Sequence, residues 1–378
     1  PLCEDWKTEA EYLETNGFAQ YVKEIDMIFE KGGGPDVLWV LFLKKEILKA
    51  TKVAEGDIRQ IICADARFQR IGLMFEQNQN ERMKERTSTT FAQCGWSPFW
   101  GGFQRRVRRL IKKGNVNYVE FDWTRFDGTI PNFLFRRIKK FRFSRLAKRY
   151  RTPQNQAVYN WYVENLINRC VLMPSGEVTR QHCGNPSGQV STTPDNNMVN
   201  TWLQAFEFMY VNNLSYDEAV KQWKHYDTLI YGDDRLFTTP LLPHNYIDCV
   251  VGMYRTFFGM WVKPEKVVVS ATPVGLSFCG FTILPDHSPV PSEPLKLIAS
   301  LNTPIKKLQD VDTLYCKLLC YQLLMANLPD SDPIKGWVDK ALFVLAKHLR
   351  AQGRDPPAVF TRDMLESVWR GGPKQDLA

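Results

Sequence analysis

No stretch of this chain approaches the ~18 consecutive apolar residues of a membrane span, so no crossing helix is expected. A signal-peptide pattern is also missing, and the chain starts at Pro1 instead of Met, which suggests a processed product or a fragment. The nine cysteines (Cys3, Cys63, Cys94, Cys170, Cys183, Cys249, Cys279, Cys316 and Cys320) are scattered, odd in number and set mostly in apolar surroundings. That usage speaks for free thiols in a reducing compartment and against a disulfide framework. Cys316 and Cys320 stand four apart on an expected helix, yet no His or Cys pair completes a zinc spacing, and His182 beside Cys183 reads as incidental. Internal repeats and low-complexity tracts are absent as well. What is present is an ordinary globular composition, 378 residues and 44% hydrophobic, enough for about two or three packed units around a large core. A net charge of +8 favours an anionic partner, nucleic acid or a membrane surface. Aromatics make up 13% and often sit beside Arg or Lys, which suits base stacking with phosphate contact, although core packing accounts for them equally well.

Patterning places a buried strand over 36–43, delivering Lys44 and Lys45 at its end, and another over 59–64. A basic helix over 105–113 leads through a Gly114-Asn115 turn to a strand over 117–122. Helices are expected over 131–150 and 153–168, then a hairpin over 170–180 and a Gly/Pro/Ser loop over 184–190. In the helix that follows, to about Val211, Met198, Trp202, Ala205, Phe206 and Met209 form the expected buried stripe. A helix over 243–258 and a strand-rich stretch over 266–284 come next. Beyond Pro285 the pattern turns helical, at 311–327, 333–352 and 361–369.

The most informative string is Tyr231-Gly232-Asp233-Asp234. Leu229 and Ile230 precede it and Leu236 and Phe237 follow, so it reads as a hairpin with acids at its tip. Adjacent like charges are costly, and a divalent cation relieves them. An oxygen-only site with few carboxylates suits Mg²⁺, which keeps waters and substrate phosphates in its shell. An acidic turn without a metal is the competing reading. A second acidic pair, Asp122 and Asp127, lies at a strand end and just past the turn after it; alone, it is better explained as a strand end capping its turn. Carboxylates converging from separate strands could hold two metals ~4 Å apart for nucleotidyl transfer. In the run from Ser187 to Asn197, Gly188 and the preceding Pro186 make a loop whose backbone can approach phosphate or nucleic acid. Thr192 and Asn196 are i and i+4 and share a face at the helix start, where Asn suits a ribose hydroxyl. A capped helix with a Gly-rich entry explains that run as well.

Taken in order, Asp-x4-Asp, Ser-Gly-x3-Thr-x3-Asn and Gly-Asp-Asp resemble motifs A, B and C of viral RNA-dependent RNA polymerases. The wording of Asp122-Trp123-Thr124-Arg125-Phe126-Asp127-Gly128-Thr129-Ile130-Pro131, of Ser187 to Thr193 and of Asp195-Asn196-Asn197-Met198-Val199-Asn200 looks like astrovirus polymerases. The stretch from Lys44 to Arg59 resembles the basic motif F of the picornavirus-like group; by that resemblance Lys44, Lys52 and Arg59 bind the incoming triphosphate. Leu48 and Asp57 stand where that group tends to carry cations. The stretch from Phe258 to Lys266 resembles motif D, whose lysine is held to protonate pyrophosphate; Lys266 is the choice and Lys263 the rival, and a surface lysine without a role is the alternative. Leu276 to Phe281 resembles motif E, which grips the primer end, and also reads as a plain hairpin. The resemblance runs from about Lys44 to Ile283. A further fingers motif expected upstream of motif F is absent or barely begun at Pro1.

The implied fold is α+β, a right-hand polymerase with an antiparallel-sheet palm, interleaved fingers and a helical thumb. Its expected division is fingers over 1–113, with part of the fingertip lacking; palm with motif A over 114–135; a fingers insertion over 136–180; palm with motifs B to E over 181–285; and thumb over 286–378. The implied activity is RNA-templated RNA synthesis for replication and transcription of a positive-strand RNA virus genome. Asp122 and Asp233 are expected to coordinate Mg²⁺, which Mn²⁺ can replace, with Asp234 peripheral. Asp127, Thr192 and Asn196 are expected to sense the ribose 2′-hydroxyl, with Ser187 ordering the loop. Implied partners are template and product RNA, nucleoside triphosphates, a genome-linked protein primer and other viral replication proteins. The implied setting is membrane-associated replication complexes in the cytoplasm of an infected cell. Nine of the sixteen residues over 136–151 are Arg or Lys; they and Arg105, Arg106, Arg108 and Arg109 read either as RNA-backbone contacts or as solvated faces of packed helices. A reverse transcriptase and a non-catalytic RNA-binding scaffold are the alternatives. The first shares paired aspartates but excludes the 2′-hydroxyl, usually with a bulky residue; intact aspartates argue against the second.

Overall fold

The structure, a computed structural model, describes residues 9–12, 14 and 18–371; Cys3 lies outside them. The chain opens with α1 (Glu9–Tyr12), α2 (Phe18–Lys31), β1 (Leu38–Leu43), α3 (Ala50–Ala54), β2 (Gln60–Cys63), α4 (Ala66–Glu85) and α5 (Gly102–Ile111). Its middle holds β3 (Tyr118–Phe121), α6 (Phe126–Thr129), α7 (Asn132–Ser144), α8 (Pro153–Ile167), β4 (Arg169–Leu172), β5 (Val178–Gln181), α9 (Thr192–Val211) and α10 (Tyr216–Trp223). Then come β6 (Asp227–Tyr231), β7 (Asp234–Thr238), α11 (Tyr246–Phe258), β8 (Val267–Ser270), β9 (Ser277–Phe278), β10 (Phe281–Ile283) and β11 (Pro289–Pro291). The last part is α12 (Pro294–Asn302), α13 (Val311–Leu324), α14 (Pro333–Ala351) and α15 (Arg362–Arg370). Local chemistry sets the ends of many of these. The Thr152 hydroxyl accepts from Asn155 N–H ahead of Pro153 in α8, and Ser215 and Glu218 form a capping box at α10.

Three sheets organise the chain. The N-terminal sheet runs β2-β1-β4-β5, with β1 and β4 parallel and the other pairs antiparallel. The central sheet runs β6-β7-β3-β8 and is antiparallel throughout. A small sheet, β11-β10-β9, leads to the C-terminal helices. The central sheet is covered on both faces. Val119, Phe121 and Phe237 point into the main core with Val199, Leu203 and Tyr254, while Tyr118, Leu229 and Leu236 point the other way, onto Phe103, Val107 and Leu110 of α5. Two covered faces explain the near-continuous apolar runs around the acids and leave the strand ends as the open part of the sheet. A third core, with Tyr315, Leu318, Leu342 and Leu349, joins α13 and α14.

Three expectations are corrected. β1 is half-buried, not buried: Trp39 and Leu41 point inward while Leu38, Val40, Phe42 and Leu43 are exposed. Only its inner side meets the helices, with Trp39 edge-on to Phe68. On α9 the stripe of Met198, Trp202, Ala205, Phe206 and Met209 is half-buried; the deepest positions are Val199 and Leu203 together with Asp195, Asn197, Asn200, Gln204 and Glu207. The helix over 131–150 ends at Ser144, followed by one 3-10 turn at Lys148–Tyr150. α12 was not marked by the patterning. Among the described residues no helix is long and apolar enough to cross a membrane, and the eight described cysteines are free.

Candidate active site

The acids meet at one end of the central sheet because of its register. β6 and β7 pair up to Tyr231 opposite Asp234, which leaves Gly232 and Asp233 as a two-residue turn. Gly232 has φ of 67°, a conformation the first position of a primed hairpin turn needs and glycine adopts freely. β3 pairs with β7 up to Phe121 opposite Arg235, so Asp122, the next residue, comes alongside the turn. On its other side Asp122 N–H donates to Lys266 O at 3.1 Å, and the Lys266 ammonium is ion-paired to the Asp122 carboxylate. Burial raises the Asp233 carboxyl above the usual range and the Asp122 charge adds to this, while Arg59 opposes it. Asp234 turns away: its Oδ2 accepts from Cys279 N–H at 2.6 Å, in the turn between β9 and β10. Burial pushes Asp234 up to about 7; the Cys279 bond pulls it down, and Asp233, Glu120 and Asp122 push it further up. Glu120 in turn holds that turn, accepting from Ser277 N–H and Oγ at 2.6 and 2.5 Å.

Among the described residues no three His, Cys, Asp or Glu side chains converge as a preassembled metal cage. The donor set still fits Mg²⁺. That ion needs only one or two carboxylates and completes its octahedron with water and phosphate oxygens. Asp122, just past β3, and Asp233, in the β6–β7 turn, supply them, and the Asp233 carboxyl, raised by burial with the Asp122 charge adding to it, is one that a cation relieves.

Asp127 and Asn196 are brought together as expected: Asn196 Nδ2 donates to Asp127 Oδ1 at 2.5 Å. Burial pushes Asp127 up to about 6, Asp233 adds to the push, and the Asn196 bond opposes it. Thr192 does not join them. Its hydroxyl turns back into the loop, where its single hydrogen has the carbonyls of Pro186, Ser187 and Gln189 within reach at 3.0, 3.2 and 2.9 Å. Ser187 Oγ donates to Gln60 O at 3.2 Å, and Gly188 N–H to Ile62 O at 3.1 Å, which fastens the loop to β2. A Cβ at residue 188 would overlap Cys63 Sγ and Ile62 O, so only glycine allows this approach.

The basic segment after β1 pairs its cations internally. Arg59 grips Glu46 through Nε at 2.7 Å and Nη2 at 2.5 Å, Lys44 lies 3.8 Å from Glu46, and Lys52 lies 3.2 Å from Asp57. Asp57 also approaches Arg125 at 3.9 Å, which sets the segment against the turn between Asp122 and Asp127. The two acids, Glu46 and Asp57, thus hold Lys44, Lys52 and Arg59 within the segment.

The chain has relatives in sequence and in fold. Residues 4–301 match the family model for viral RNA-dependent RNA polymerase. The chain belongs to that family. It is 58% identical over 375 residues to the non-structural polyprotein 1AB of Ovine astrovirus 1, covering 98% of this chain and 28% of the polyprotein. Against the same polyprotein of Mink astrovirus 1 and of Human astrovirus-5 the identities are 56% and 53%, each over 99% of this chain and 27% and 26% of the relative. The chain thus spans about a quarter of the curated relatives it matches. In fold it is similar to the Sicinivirus 3Dpol RNA dependent RNA polymerase, with a TM-score of 0.70 and 18% identity over 92% of this chain and 69% of the other. The fold is the α+β right-hand polymerase.

Several residues that build this site were not singled out from sequence. Asn197 Oδ1 accepts from Gly232 N–H at 2.7 Å, and Asn200 Nδ2 donates to Gly232 O and Asp233 O at 3.2 and 3.4 Å, so α9 clamps the acidic turn. Gln204 Nε2 donates to Asn200 Oδ1 at 3.2 Å, and Tyr226 O–H to Gln204 Oε1 at 2.8 Å. Arg235, fully buried, pairs with Glu207 at 2.5 Å and lies 3.7 Å over the Phe121 ring; Tyr246 and Tyr254 donate to Glu207. Their only trace in the sequence is spacing: Asn197, Asn200, Gln204 and Glu207 recur at helical intervals, a polar stripe that by itself reads as a solvent face.

The basic helices divide. On α7, Lys139 and Arg142 are buried, holding Glu76 and Asp195 with Lys139 Nζ at 2.9 and 2.6 Å and Arg142 Nη1 at 2.7 Å from Asp195. Those two are core, while Arg136, Arg137, Lys140 and Arg145 remain exposed. On α5, Arg109 grips Asp227 at 3.0 and 3.1 Å, and Arg105, Arg106, Arg108, Arg109 and Lys112 line an open cleft of about 380 Å³.

Proposed function

We propose that the chain carries out RNA-templated RNA synthesis: the 3′-hydroxyl of the growing strand attacks the α-phosphate of a nucleoside triphosphate, and pyrophosphate leaves. The observation that carries the reading is the meeting of Asp122 and Asp233 beside the Asn196–Asp127 pair at one end of the central sheet. Asp122 and Asp233 would hold Mg²⁺, or Mn²⁺ in its place, in a two-metal arrangement, with Asp234 peripheral and committed to Cys279. When bound, the ions supply Lewis acidity toward the attacking hydroxyl and neutralise charge on the leaving group. Lys44, Lys52 and Arg59 exchange Glu46 and Asp57 for the triphosphate. Lys266 Nζ, beside Asp122, delivers the proton to pyrophosphate, with Lys263 as the rival donor. Asp127 and Asn196 read the 2′-hydroxyl, and Ser187 and Thr192 set the loop beneath them.

The division into fingers, palm and thumb given above belongs to this reading. So do its partners: template and product RNA, a genome-linked protein primer and other viral replication proteins. The role is replication and transcription of a positive-strand RNA virus genome, at membrane-associated complexes in the cytoplasm of an infected cell. Primer extension on an RNA template tests it. Asp233→Ala is expected to abolish incorporation; unchanged incorporation would overturn the catalytic assignment. Equal use of dNTPs and rNTPs by the unmodified chain would overturn the ribose-sensing assignment.

A further inference from the structure

The Asn196 amide has two ends, and only one orientation offers an N–H to Asp127. The residues behind it fix that orientation. Asp195, fully buried, accepts from Arg142 Nη1 at 2.7 Å and lies 2.6 Å from Lys139 Nζ. As a carboxylate held by two cations it can only accept. The amide of Gln189 must therefore turn its nitrogen to Asp195, and Nε2 donates there at 2.7 Å. Gln189 Oε1 accepts from Ser191 N–H at 2.8 Å, a contact the reversed amide would turn into donor against donor. The other Nε2 hydrogen donates to Asn185 Oδ1 at 2.9 Å. Asn185 is then left with its nitrogen facing Asn196, and Nδ2 donates to Asn196 Oδ1 at 2.8 Å and to Thr192 O at 3.2 Å. Asn196 Nδ2 is thereby presented to Asp127 at 2.5 Å. Asn185, Gln189, Asp195 and Asn196 are all buried, so water does not compete for these polar ends. The backbone closes the same circle, with Asn185 N–H donating to Asp127 O at 2.7 Å.

We infer that Asn185 and Gln189 are positioning residues for sugar selection, transmitting the polarity of the Lys139–Arg142–Asp195 ion cluster to Asn196, so that the sensor presents N–H and not C=O beside Asp127. The inference rests on the proposed role of Asp127 and Asn196 as the ribose sensor. In this arrangement the 2′-hydroxyl oxygen accepts from the second Asn196 N–H and its hydrogen is donated to Asp127. A reversed Asn196 would set its carbonyl against the Asp127 carboxylate, two acceptors facing each other, and the distinction between ribose and deoxyribose would weaken.

The test is Asn185→Asp, which keeps the volume and the acceptor toward Gln189 but removes the donor toward Asn196. Single-nucleotide incorporation on an RNA template–primer gives kcat/KM for an rNTP, for its 2′-deoxy counterpart and for a mismatched rNTP. The expected result is a fall in rNTP-over-dNTP preference of about tenfold, the worth of one misplaced buried hydrogen bond, with preference for the matched base unchanged. Unchanged sugar preference would overturn the inference, and so would a parallel loss of sugar and base preference, the mark of general loosening. Gln189→Met, which frees Asn185 to reverse, is expected to move sugar preference the same way and supplies the readout if Asn185→Asp does not fold. Asn196→Ala, measured alongside, separates the two layers. If it leaves sugar preference intact, the sensor reading itself fails; if it lowers that preference while both second-layer variants do not, only the relay fails.

Discussion

At the scale of single residues, the site is a balance of crowded negative charge against a few cations. Lys266 pairs with Asp122, but both side chains are about half exposed, at 47% and 49%, so the pair contributes little to stability, ~0–1 kcal/mol. Lys266→Met is therefore expected to slow nucleotide incorporation by roughly 10²–10⁴-fold, the range for a lost general acid, with a thermal midpoint close to that of the unmodified chain. A large drop in the midpoint with unchanged turnover would assign Lys266 a structural role instead. The buried acids give a pH signature. Asp234 and Asp127 are pushed up to about 7 and about 6 in the fold, above their unfolded value near 3.9, so the folded state binds more protons than the unfolded one between those values. Their contribution to stability thus grows as pH falls from 7 toward 4. Glu76 acts oppositely. Burial alone would raise it, but Arg142 and Lys139 overcome that and hold it down to about 2. Its contribution is present above the unfolded value near 4.3 and is lost as pH falls toward 2. Compared with melting curves recorded without divalent cations, added Mg²⁺ is expected to stabilise the protein more at pH 8 than at pH 5.5. Equal stabilisation at both would contradict the charge-crowding account.

At the scale of elements, α9 does most of the assembly. Near its start Asn196 meets Asp127, the following residues clamp the Gly232-Asp233 turn through Asn197 and Asn200, and Glu207 anchors Arg235 of β7. The loop that feeds it is fixed to β2 at Gly188. Gly188→Ala would drive a methyl group into Cys63 Sγ and Ile62 O, and overpacking of this kind costs about 1–3 kcal/mol. The expected outcome is a lowered melting temperature together with reduced triphosphate affinity, because the loop and the basic segment that follows β1 share the β2 anchor. An unchanged melting temperature would show that the loop shifts freely. The Thr192 hydroxyl, turned back toward the Pro186, Ser187 and Gln189 carbonyls, shows what i,i+4 spacing leaves open: spacing gives the face shared with Asn196, while the fold of the loop decides where the hydroxyl points.

At the scale of the molecule, α15 closes back onto distant parts of the chain. Trp369 is fully buried, contacts Phe99 and Phe281, and donates Nε1–H to Leu323 O at 2.7 Å. Trp100 and Gly101 N–H donate to the Val368 and Trp369 carbonyls at 2.6 and 2.9 Å. Lys49 reaches Glu293 at 2.9 Å, an exposed link between the basic segment and the start of α12. Trp369→Ala is expected to cost about 3–5 kcal/mol and to expose α15 to limited proteolysis before the central sheet. Cleavage no faster than in the unmodified chain would argue that α15 is held by other contacts.

The sequence by itself determined the candidate site residues and much of the order of elements. The Gly-Asp-Asp turn, the strand ending at Asp122 and the Gly-rich entry to α9 each carry a local signal, because hairpin tips, strand ends and helix starts are set by neighbours in the chain. Asp122 beside Asp233 and Asn196 beside Asp127 followed from those motifs by family resemblance. Only the tertiary structure decided which polar groups are buried. Lys139 and Arg142 sit in a run that looks like a solvated basic face, and the α9 stripe of Asn197, Asn200, Gln204 and Glu207 looks like a solvent side. Both turn inward because their partners, Glu76, Asp195, the Gly232-Asp233 turn and Arg235, arrive from distant parts of the chain. A buried polar group is tolerated only when such a partner meets it. That meeting is a property of the packed sheets and helices, and no local pattern encodes it.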